Sequence, residues 1–335
     1  LFEQNDFASG TSSQTSKLLH GGIRYLQNLE FKMVFQSLRE RQTLKNLTPS
    51  SAKELESLFP YYHDSTVANF KIGLGLTLYD LLATYHNTSL HSRIDQNEIK
   101  DIEPLIYRDD LAGAWTSHEY LVDDARLVIT VLLSAQKHGA HIFSHHKIEN
   151  FIRDNQRVIG VKVRSKSGTQ VLSVKGKMII SAAGPFTDHI IKLYDHQSAD
   201  QLALSKGIHL IFSKQRFPLS RLCIFFLKQK HLMAIPWKEA VLVGPTDTEY
   251  HQSADNPKSD QDDIAYLLSG VQECFPAARL TRNDILGTFV GLRPLVKSGS
   301  TASYHLSRED KMLSIAPGFI AIAGGKLTTY RNMAE

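Results

Sequence analysis

"GFIAIAGGKLTTYRNMAE", residues 318–335, joins a short apolar run, a pair of glycines and a segment of helix-forming residues. Short apolar runs bounded by glycine are typical of buried strands. Ligands of open α/β sheets bind outside the carboxyl ends of such strands, where small residues let the backbone approach them closely. We therefore expect an α/β fold in which Gly324 and Gly325 follow the end of a buried strand.

Two further stretches support a ligand at strand ends. Residues 178–185, "MIISAAGP", predict a second apolar strand that ends in the small residues Ala183 and Gly184. Residues 1–3, "LFE", are typical of the end of a buried strand, and the polar loop "QNDFASGTSS" follows at residues 4–13. Each strand end alone is explained by tight strand–helix packing, whereas the set favours a cofactor site.

The rest of the chain alternates between helical and strand patterns. Apolar residues at helical spacing predict helices over residues 13–19, 29–47, 65–87, 122–140 and 260–275. Short alternating runs predict an antiparallel sheet that contains residues 207–213, 223–228, 232–237 and 240–247. The pattern is therefore α/β with an interleaved antiparallel sheet.

Composition excludes several classes of protein. The 335 residues are 42% hydrophobic and carry a formal net charge of only +4, with no block of like charge, so nucleic acid is not an expected partner. Cys223 and Cys274 lie far apart, which indicates a reducing compartment rather than a disulfide framework. The 15 histidines show no metal-ligand spacing, so we expect no metal. No apolar run approaches the roughly 20 residues that span a bilayer, so we expect a soluble or peripheral protein.

Three cations lie beside glycines, in "GGIRY", "GLRP" and "GGKLT": Arg24, Arg293 and Lys326. A guanidinium holds a phosphate or carboxylate through two parallel hydrogen bonds. One such residue alone is most often a solvated surface charge, but three at element ends favour an anion site. Glu3, taken alone, is most often a surface glutamate.

Eight blocks of the sequence resemble the FAD-dependent glycerol-3-phosphate dehydrogenases, within the wider group of flavoprotein amine and hydroxy-acid oxidases. They occur in the family's order and cover nearly the whole chain. The blocks are "SSQTSKLLHGGIRYLQNLEF", "VDDARLV", "AAGPFTD", "GIHL", "IPW", "VGPTDTEY", "VGLRPLV" and "GGKLTTYRNMAE".

The resemblance implies a glutathione-reductase-type FAD-binding fold, incomplete here, interleaved with a mixed-sheet α+β substrate domain. We expect the FAD-binding domain over residues 1–45, 120–198 and 284–335, and the substrate domain over residues 46–119 and 199–283. A homodimer is also expected.

The resemblance further implies oxidation of sn-glycerol 3-phosphate to dihydroxyacetone phosphate, with hydride transfer to flavin N5. Electrons then pass to a quinone, or to oxygen in the oxidase branch of the family. It places the protein in the cytoplasm, peripheral on the inner face of the cytoplasmic membrane. The apolar residues 67–83 are a candidate for lipid contact, although a core helix is slightly favoured.

The same resemblance implies roles for individual residues. Candidates for catalysis are His209 as the first choice of base, His20 as the second, and Arg293. Candidates for substrate binding are Arg24, Tyr25, Arg293 and Lys326. Candidates for FAD binding are Glu3, Thr11, Ser12, Ser13, Lys17, His20, Gly21, Gly22, Ala183, Gly184, Gly325, Lys326, Leu327 and Thr328. The glycine pair is expected to let the backbone lie against the flavin ring.

Departures from the family pattern leave alternatives open. The glycine-rich unit that holds the FAD pyrophosphate and the helical region after residue 335 are both absent, so we expect an internal fragment, truncated at both ends, that binds FAD weakly or not at all. Pro245 stands where the family commonly has threonine. The alternatives are a flavoenzyme of the same fold that acts on an amino acid or 2-hydroxy acid, and a non-catalytic fragment without FAD.

Overall fold

Three β-sheets and their covering helices form the described part of the chain. The computed structural model describes residues 1–63, 66–83, 89–106, 108–226, 231–297 and 309–335, without the side chains of residues 24, 27, 28 and 66–68. The helices are α1 (Phe31–Leu47), α2 (Thr66–Ala83), α3 (Gln96–Ile102), α4 (Asp124–Lys137), α5 (Thr187–Tyr194), α6 (Gln261–Cys274) and α7 (Tyr330–Ala334). The strands are β1 (Leu18–Leu19), β2 (Ala52–Tyr62), β3 (Ser92–Asp95), β4 (Leu111–Val122), β5 (His146–Asp154), β6 (Arg157–Ser165), β7 (Val171–Lys175), β8 (Ile179–Ser181), β9 (Leu202–Ser213), β10 (Leu222–Phe226), β11 (His231–Trp237), β12 (Ala240–Gly244), β13 (Thr248–Tyr250), β14 (Ile285–Val296), β15 (Asp310–Ala316) and β16 (Phe319–Gly324).

The largest sheet is mixed. Its strands follow the order β1-β4-β2-β10-β11-β12-β9-β13, while β14 pairs with β9 and β3 pairs with β4. Every pair is antiparallel except β2 with β10. The predicted antiparallel run and the predicted α/β class with a mixed sheet are therefore confirmed.

Helix α6 covers one face of this sheet. Helix α6 begins with a capping box. The Asp260 carboxylate accepts a hydrogen bond from the Asp263 N–H, and the Asp263 carboxylate accepts one from the Asp260 N–H. Leu267, Val271 and Cys274 are fully buried in the main hydrophobic core together with Phe212 of β9. Burial of this apolar face, rather than helix propensity alone, holds α6 in place.

A smaller sheet has the order β15-β16-β8, and in it β16 and β8 run parallel. Phe319 is paired with Ile179, and Ala321 with Ser181. The two predicted strands with small-residue endings are thus confirmed. The structure shows that they are neighbours whose carboxyl ends lie at one edge. Phe2 pairs in parallel with Phe143, which agrees with the predicted strand end at the start of the chain.

The predicted helix over residues 13–19 is wrong. Leu18 and Leu19 form β1 and pair with Leu121 and Tyr120 of β4. The backbone N–H of Val122 also donates to the Lys17 carbonyl at 2.8 Å. Pairing with a distant strand therefore overrides the weak local helix preference of this segment.

The division into two domains stays a prediction. Strand β14 lies within the part assigned to the FAD-binding domain. It nevertheless pairs along its length with β9, which lies in the part assigned to the substrate domain. It also contacts β16 of the smaller sheet. One strand therefore joins the two sheets.

Helix α2 confirms most of the predicted helix over residues 65–87; residues 65 and 84–87 of that prediction lie outside the described residues. One face of α2 is buried through Leu76 and Tyr79, whereas Phe70, Leu74 and Leu81 are exposed. The helix is thus a core helix that also presents apolar side chains outward. No helix in the described ranges is long and apolar enough to cross a membrane.

Candidate functional site

Strands β9 and β14 present a shared face to the loop that precedes β1. Residues directly opposite each other on antiparallel strands point to the same side of a sheet. The opposed pairs are Ser205 with Arg293, Gly207 with Gly291, and His209 with Phe289. A Cβ atom at Gly207 would clash with the Arg293 guanidinium, and one at Gly291 would lie 2.6 Å from the carbonyl oxygen of Gln14. The two glycines therefore make room for the guanidinium and for the loop.

Arg293 lies inside β14, so the expectation that all three candidate cations stand at element ends is wrong for this residue. Its Nη2 donates to the Thr246 carbonyl at 2.9 Å, and its Nη1 donates to Ser205 Oγ at 3.2 Å. Asp247 Oδ1 lies 3.4 Å from the same Nη1. These contacts fix a partly exposed guanidinium at the edge of the shared face. The residues directly after Pro245 thus hold Arg293 in place.

His209 is the buried group at the centre of this face, only 2% exposed. Its Nε2 lies 2.9 Å from Ser16 Oγ, and its ring stacks on Phe289 with centroids 4.7 Å apart. Within the ranges that the structure describes, its buried Nδ1 has no hydrogen-bond partner. Burial, followed by the charges of Arg293 and Lys17, lowers the pKa of His209 to about 3. The imidazole is therefore neutral at pH 7.

Lys17 brings a second positive charge to the same place. Its Nζ lies 2.8 Å from Asp124 Oδ1, and the Asp124 side chain is only 1% exposed. Thr15 Oγ1 donates to the other carboxylate oxygen at 2.7 Å. The Lys17 ammonium also lies 5.5 Å from the ring centroid of Phe289. The ion pair ties the loop to the start of α4.

Lys326 and Tyr25 form a second group. The Lys326 Nζ lies 4.1 Å from the centroid of the Tyr25 ring and donates to Ser37 Oγ at 3.1 Å. Tyr25 is buried and His20 is half-buried. The backbone of Arg24 lies in a short 3₁₀ helix between them in sequence, but its side chain is outside the described residues.

The predicted residues therefore fall into separate groups. His209, Arg293 and Lys17 come together on the face of β9 and β14. Residues 17–22 lead from this group to the one formed by Tyr25 and Lys326. Glu3 lies elsewhere, where its backbone N–H donates to the Phe143 carbonyl at 2.9 Å.

The glycine pair after His20 serves packing within the protein. A Cβ atom at Gly21 would clash with the Tyr79 hydroxyl and lie 2.5 Å from Leu38 Cδ2. Gly22 has a φ of 78°, a conformation that favours glycine. The space on the Cβ side of Gly21 is thus filled by side chains of α1 and α2. The expected approach of this backbone to a flavin ring stays a prediction.

The edge formed by the ends of β8 and β16 fits a flat or phosphorylated cofactor. Gly184 has a φ of 55°, and a Cβ atom there would meet no atom of the described residues within 4 Å. Gly10 is equally open. Gly325 also has a positive φ, of 83°, but Met333 fills the space beside it. Among the described residues, space is therefore open beside Gly184 at this edge and beside Gly10 in the loop before Thr11.

The remaining cofactor candidates lie around this edge and the adjoining loop. Thr11 Oγ1 donates to the Leu292 carbonyl at 2.8 Å, which anchors the loop to β14. Thr328 is buried in a short 3₁₀ helix. The other candidates are placed by their elements: Ser12 and Ser13 share a short 3₁₀ helix with Thr11, Ala183 directly precedes Gly184, and Leu327 precedes Thr328.

Several residues of the site were missed by sequence reasoning. Asp124, Thr246 and Asp247 lie inside "VDDARLV" and "VGPTDTEY", so the matched blocks carried a signal for them. Ser16 also stands in a matched block. Tyr79 had no signal, because it is one of many apolar residues in α2.

The buried imidazole makes a prediction for stability. The unfolded chain takes up a proton near pH 6.5, whereas folded His209 does so only near pH 3. The contribution of His209 to the unfolding free energy is therefore fully present above pH 6.5. It is lost as the pH drops from 6.5 towards 3, by about 1.4 kcal/mol per pH unit. We expect His209→Gln to remove this component. Urea unfolding at pH 7, 6 and 5 measures it.

The exposed His251 provides the control, because its side chain is 77% exposed. His251→Gln should leave the pH dependence of the unfolding free energy as in the unsubstituted protein. Parallel pH curves for His209→Gln and the unsubstituted protein would contradict the assignment of a buried neutral imidazole.

Comparison with known sequences gives one family match. Residues 1–331 match the family described as "FAD dependent oxidoreductase". The aerobic glycerol-3-phosphate dehydrogenase of Bacillus subtilis (strain 168) is 34% identical over 336 residues, which cover all of this chain and 60% of that protein. The enzyme of the same name from Staphylococcus aureus (strain USA300) is 35% identical over 339 residues, with coverage of 100% and 61%. The chain thus spans about 60% of the length of these relatives.

Solved structures show the same fold. The glycerol-3-phosphate dehydrogenase from Bacillus halodurans, complexed with FAD, superimposes with a TM-score of 0.79 at 29% identity, over 100% of this chain and 57% of that one. The L-alpha-glycerophosphate oxidase from Mycoplasma pneumoniae, with FAD bound, gives a TM-score of 0.75 at 18% identity, over 99% and 85%. The second likeness concerns the fold alone.

Proposed function

Because the chain belongs to the family of FAD dependent oxidoreductases, we propose that its full-length protein holds FAD and oxidises sn-glycerol 3-phosphate to dihydroxyacetone phosphate. The predicted resemblance is supported by two relatives at 34% and 35% identity that carry the name aerobic glycerol-3-phosphate dehydrogenase. The observation that carries the proposal is the face of β9 and β14, where Arg293 and Lys17 surround a neutral His209.

Open backbone at the strand ends supports the proposed cofactor. We assign the edge near Gly184, with the loop around Gly10 and Thr11, to hold FAD. When bound, FAD accepts the hydride that leaves the substrate carbon. Lys326 stands at the start of the last 3₁₀ helix, and its positive charge favours an anionic group nearby.

Arg293 is the proposed holder of the substrate phosphate. A planar guanidinium binds two oxygens of a phosphate at once, and the contacts with Thr246 and Ser205 fix its plane in advance. Lys17 adds positive potential, although Asp124 balances most of its charge. Arg24, Tyr25 and Lys326, of the second group, are proposed as further substrate-binding residues.

His20 is the better candidate for the base that removes the hydroxyl proton. His209 is poorly suited to this step because it is only 2% exposed, its Nε2 contacts Ser16 Oγ and its ring stacks on Phe289. Burial also lowers its pKa to about 3, which makes it a weak proton acceptor at neutral pH. His20 is half-buried and lies directly before Gly21. We assign His209 the role of holding Ser16 and the loop, through the contact at 2.9 Å.

An activity panel tests the proposal. The full-length protein, loaded with FAD, is expected to reduce an artificial electron acceptor with glycerol 3-phosphate and not with 2-hydroxy acids or amino acids. Turnover confined to a hydroxy acid or an amino acid would establish the alternative within the same fold. Absence of flavin absorbance after reconstitution would instead indicate a non-catalytic protein.

Two histidine variants extend the same assay. If His20 is the base, His20→Gln lowers kcat by about 100-fold or more. Under the same assignment His209→Gln retains more activity than His20→Gln at every pH. The reverse order would return the role of base to His209.

For the electron acceptor we propose a quinone, with oxygen as the alternative. Repeating the assay with a soluble quinone and with oxygen in place of the artificial acceptor distinguishes the two. We also propose peripheral attachment to the inner face of the cytoplasmic membrane. The exposed Phe70, Leu74 and Leu81 of α2 support contact with a membrane surface. Sedimentation with anionic liposomes tests this attachment.

A homodimer likewise stays a proposal, which the molar mass in solution tests.

A further inference from the structure

A buried chain of hydrogen bonds leads from the glycine pair into the protein. The backbone N–H of Gly21 donates to the Tyr79 hydroxyl at 2.9 Å. That hydroxyl donates to Glu119 Oε1 at 2.7 Å, and Arg41 Nη1 donates to Glu119 Oε2 at 2.7 Å. The chain thus links residues of α1, α2 and β4 to the segment that carries His20.

Gly21 lies just beyond the end of a strand. The pairing of β1 with β4 ends at Leu19, opposite Tyr120. From there the Gly21 N–H is satisfied by a side chain rather than by the sheet. Because His20 is the residue between Leu19 and Gly21, its backbone is fixed on one side by the strand and on the other by Tyr79.

The network is almost completely shielded from water. Arg41 and Tyr79 are each 1% exposed, and Glu119 is 5% exposed. Arg41 Nη1 also donates to the His118 carbonyl at 3.0 Å. Burial, and then the charge of Glu119, raise the pKa of Tyr79 well above its usual range, so the hydroxyl keeps the proton that it donates.

Stability alone is a weak reason for such a network. A buried ion pair often stabilises a fold no more than well-packed apolar residues of similar volume, whereas it imposes a defined geometry. The geometry imposed here includes the direction of the Gly21 N–H. The Tyr79 hydroxyl is the member that contacts Gly21, so it transmits this constraint.

We propose that Tyr79 is a positioning residue for the oxidation assigned above: its hydroxyl holds the Gly21 N–H and thereby sets the place of His20 in the site. This inference rests on the proposed function. The hydroxyl acts through the backbone and does not touch the substrate. Its removal should therefore reduce turnover more than substrate affinity.

Tyr79→Phe in the full-length, FAD-loaded protein is the test, because it removes the hydroxyl and retains the ring. We expect kcat to fall about tenfold while KM for glycerol 3-phosphate stays within about twofold. Hydrogen exchange of the peptide over residues 18–25, measured by mass spectrometry with and without FAD, should become about tenfold faster because the Gly21 amide loses its acceptor.

Tyr120→Phe is the matched control. Tyr120 is also 1% exposed, and its ring lies 5.4 Å from the Arg41 guanidinium. Its hydroxyl contacts Gln42 Oε1 at 3.5 Å, which is its only hydrogen bond among the described residues. We expect kcat and the exchange of residues 18–25 within about twofold of the unsubstituted protein. If both variants lose thermal stability equally, that loss cannot explain faster exchange over residues 18–25 that is seen in Tyr79→Phe alone.

Three results would overturn the inference: unchanged kcat in Tyr79→Phe, unchanged exchange over residues 18–25, or equal effects of Tyr120→Phe. An unsubstituted protein that binds FAD but does not oxidise glycerol 3-phosphate overturns the proposed function instead. Exchange in the variants then still decides whether Tyr79 holds Gly21.

Discussion

Arg293→Gln is expected to lower kcat/KM for glycerol 3-phosphate by about 100-fold or more. Losses of this size follow when an active site loses one hydrogen-bond donor to an anionic group. Arg293 brings two terminal nitrogens to one place, held by the Thr246 carbonyl and by Ser205 Oγ at 2.9 and 3.2 Å. Glutamine supplies neither the charge nor the planar fork. Steady-state kinetics with the FAD-loaded full-length protein measure the loss.

Two further arginine variants separate charge from geometry. Arg293→Lys keeps the positive charge and loses the fork, so we expect an intermediate loss of about tenfold. Arg164 lies on β6 with a side chain 42% exposed and an ion pair to Glu149. Arg164→Gln should therefore behave as the unsubstituted protein. An Arg293→Gln enzyme within a few fold of the unsubstituted one would remove Arg293 from the substrate site.

Gly21→Ala is expected to lower the free energy of unfolding by about 2–3 kcal/mol and kcat/KM by about 100-fold. The added methyl group would clash with the Tyr79 hydroxyl and lie 2.5 Å from Leu38 Cδ2. Leu38 is fully buried and Tyr79 is fixed by Glu119, so neither can move aside without disturbing the core. Urea denaturation and steady-state kinetics measure the two effects.

Gly75→Ala is the matched glycine control. Gly75 lies inside α2, and within the described part of the chain a Cβ atom there would meet no atom within 4 Å. Alanine is favoured over glycine in a helix by up to about 1 kcal/mol, so this variant should be as stable as the unsubstituted protein or more so. A Gly21→Ala protein with unchanged stability would show that the segment after β1 can shift.

Local signals explain which parts of the fold were predictable. The ends of β8 and β16 were predicted because an apolar run followed by small residues is visible within ten residues. The helices α4 and α6 carry their own caps, Asp123 and Asp260. Each of these elements depends on chemistry contained in its own stretch of sequence.

Long-range pairing explains the failures. Residues 13–19 gave no sign of a partner near residue 121, so β1 was mistaken for a helix. Strands β2 and β4 were not predicted either, and it is their pairing with each other that reveals them.

The candidate site shows the same limit. Cations beside glycines were visible in the sequence, and Arg293 does lie on the shared face with His209. Their surroundings were not visible, since Phe289 contacts His209 only when β14 pairs with β9. The pKa of His209 depends on that burial, and no local pattern predicts it.

The loop that precedes β1 is held at three separate elements. Thr11 hydrogen-bonds to β14 and Ser16 hydrogen-bonds to His209 of β9, while Lys17 forms an ion pair with Asp124 of α4. A loop restrained in this way has already lost most of its conformational entropy before a ligand arrives. A molecule that binds against it therefore loses little affinity to loop ordering, and the loop acts as a preorganised wall rather than as a flap that closes.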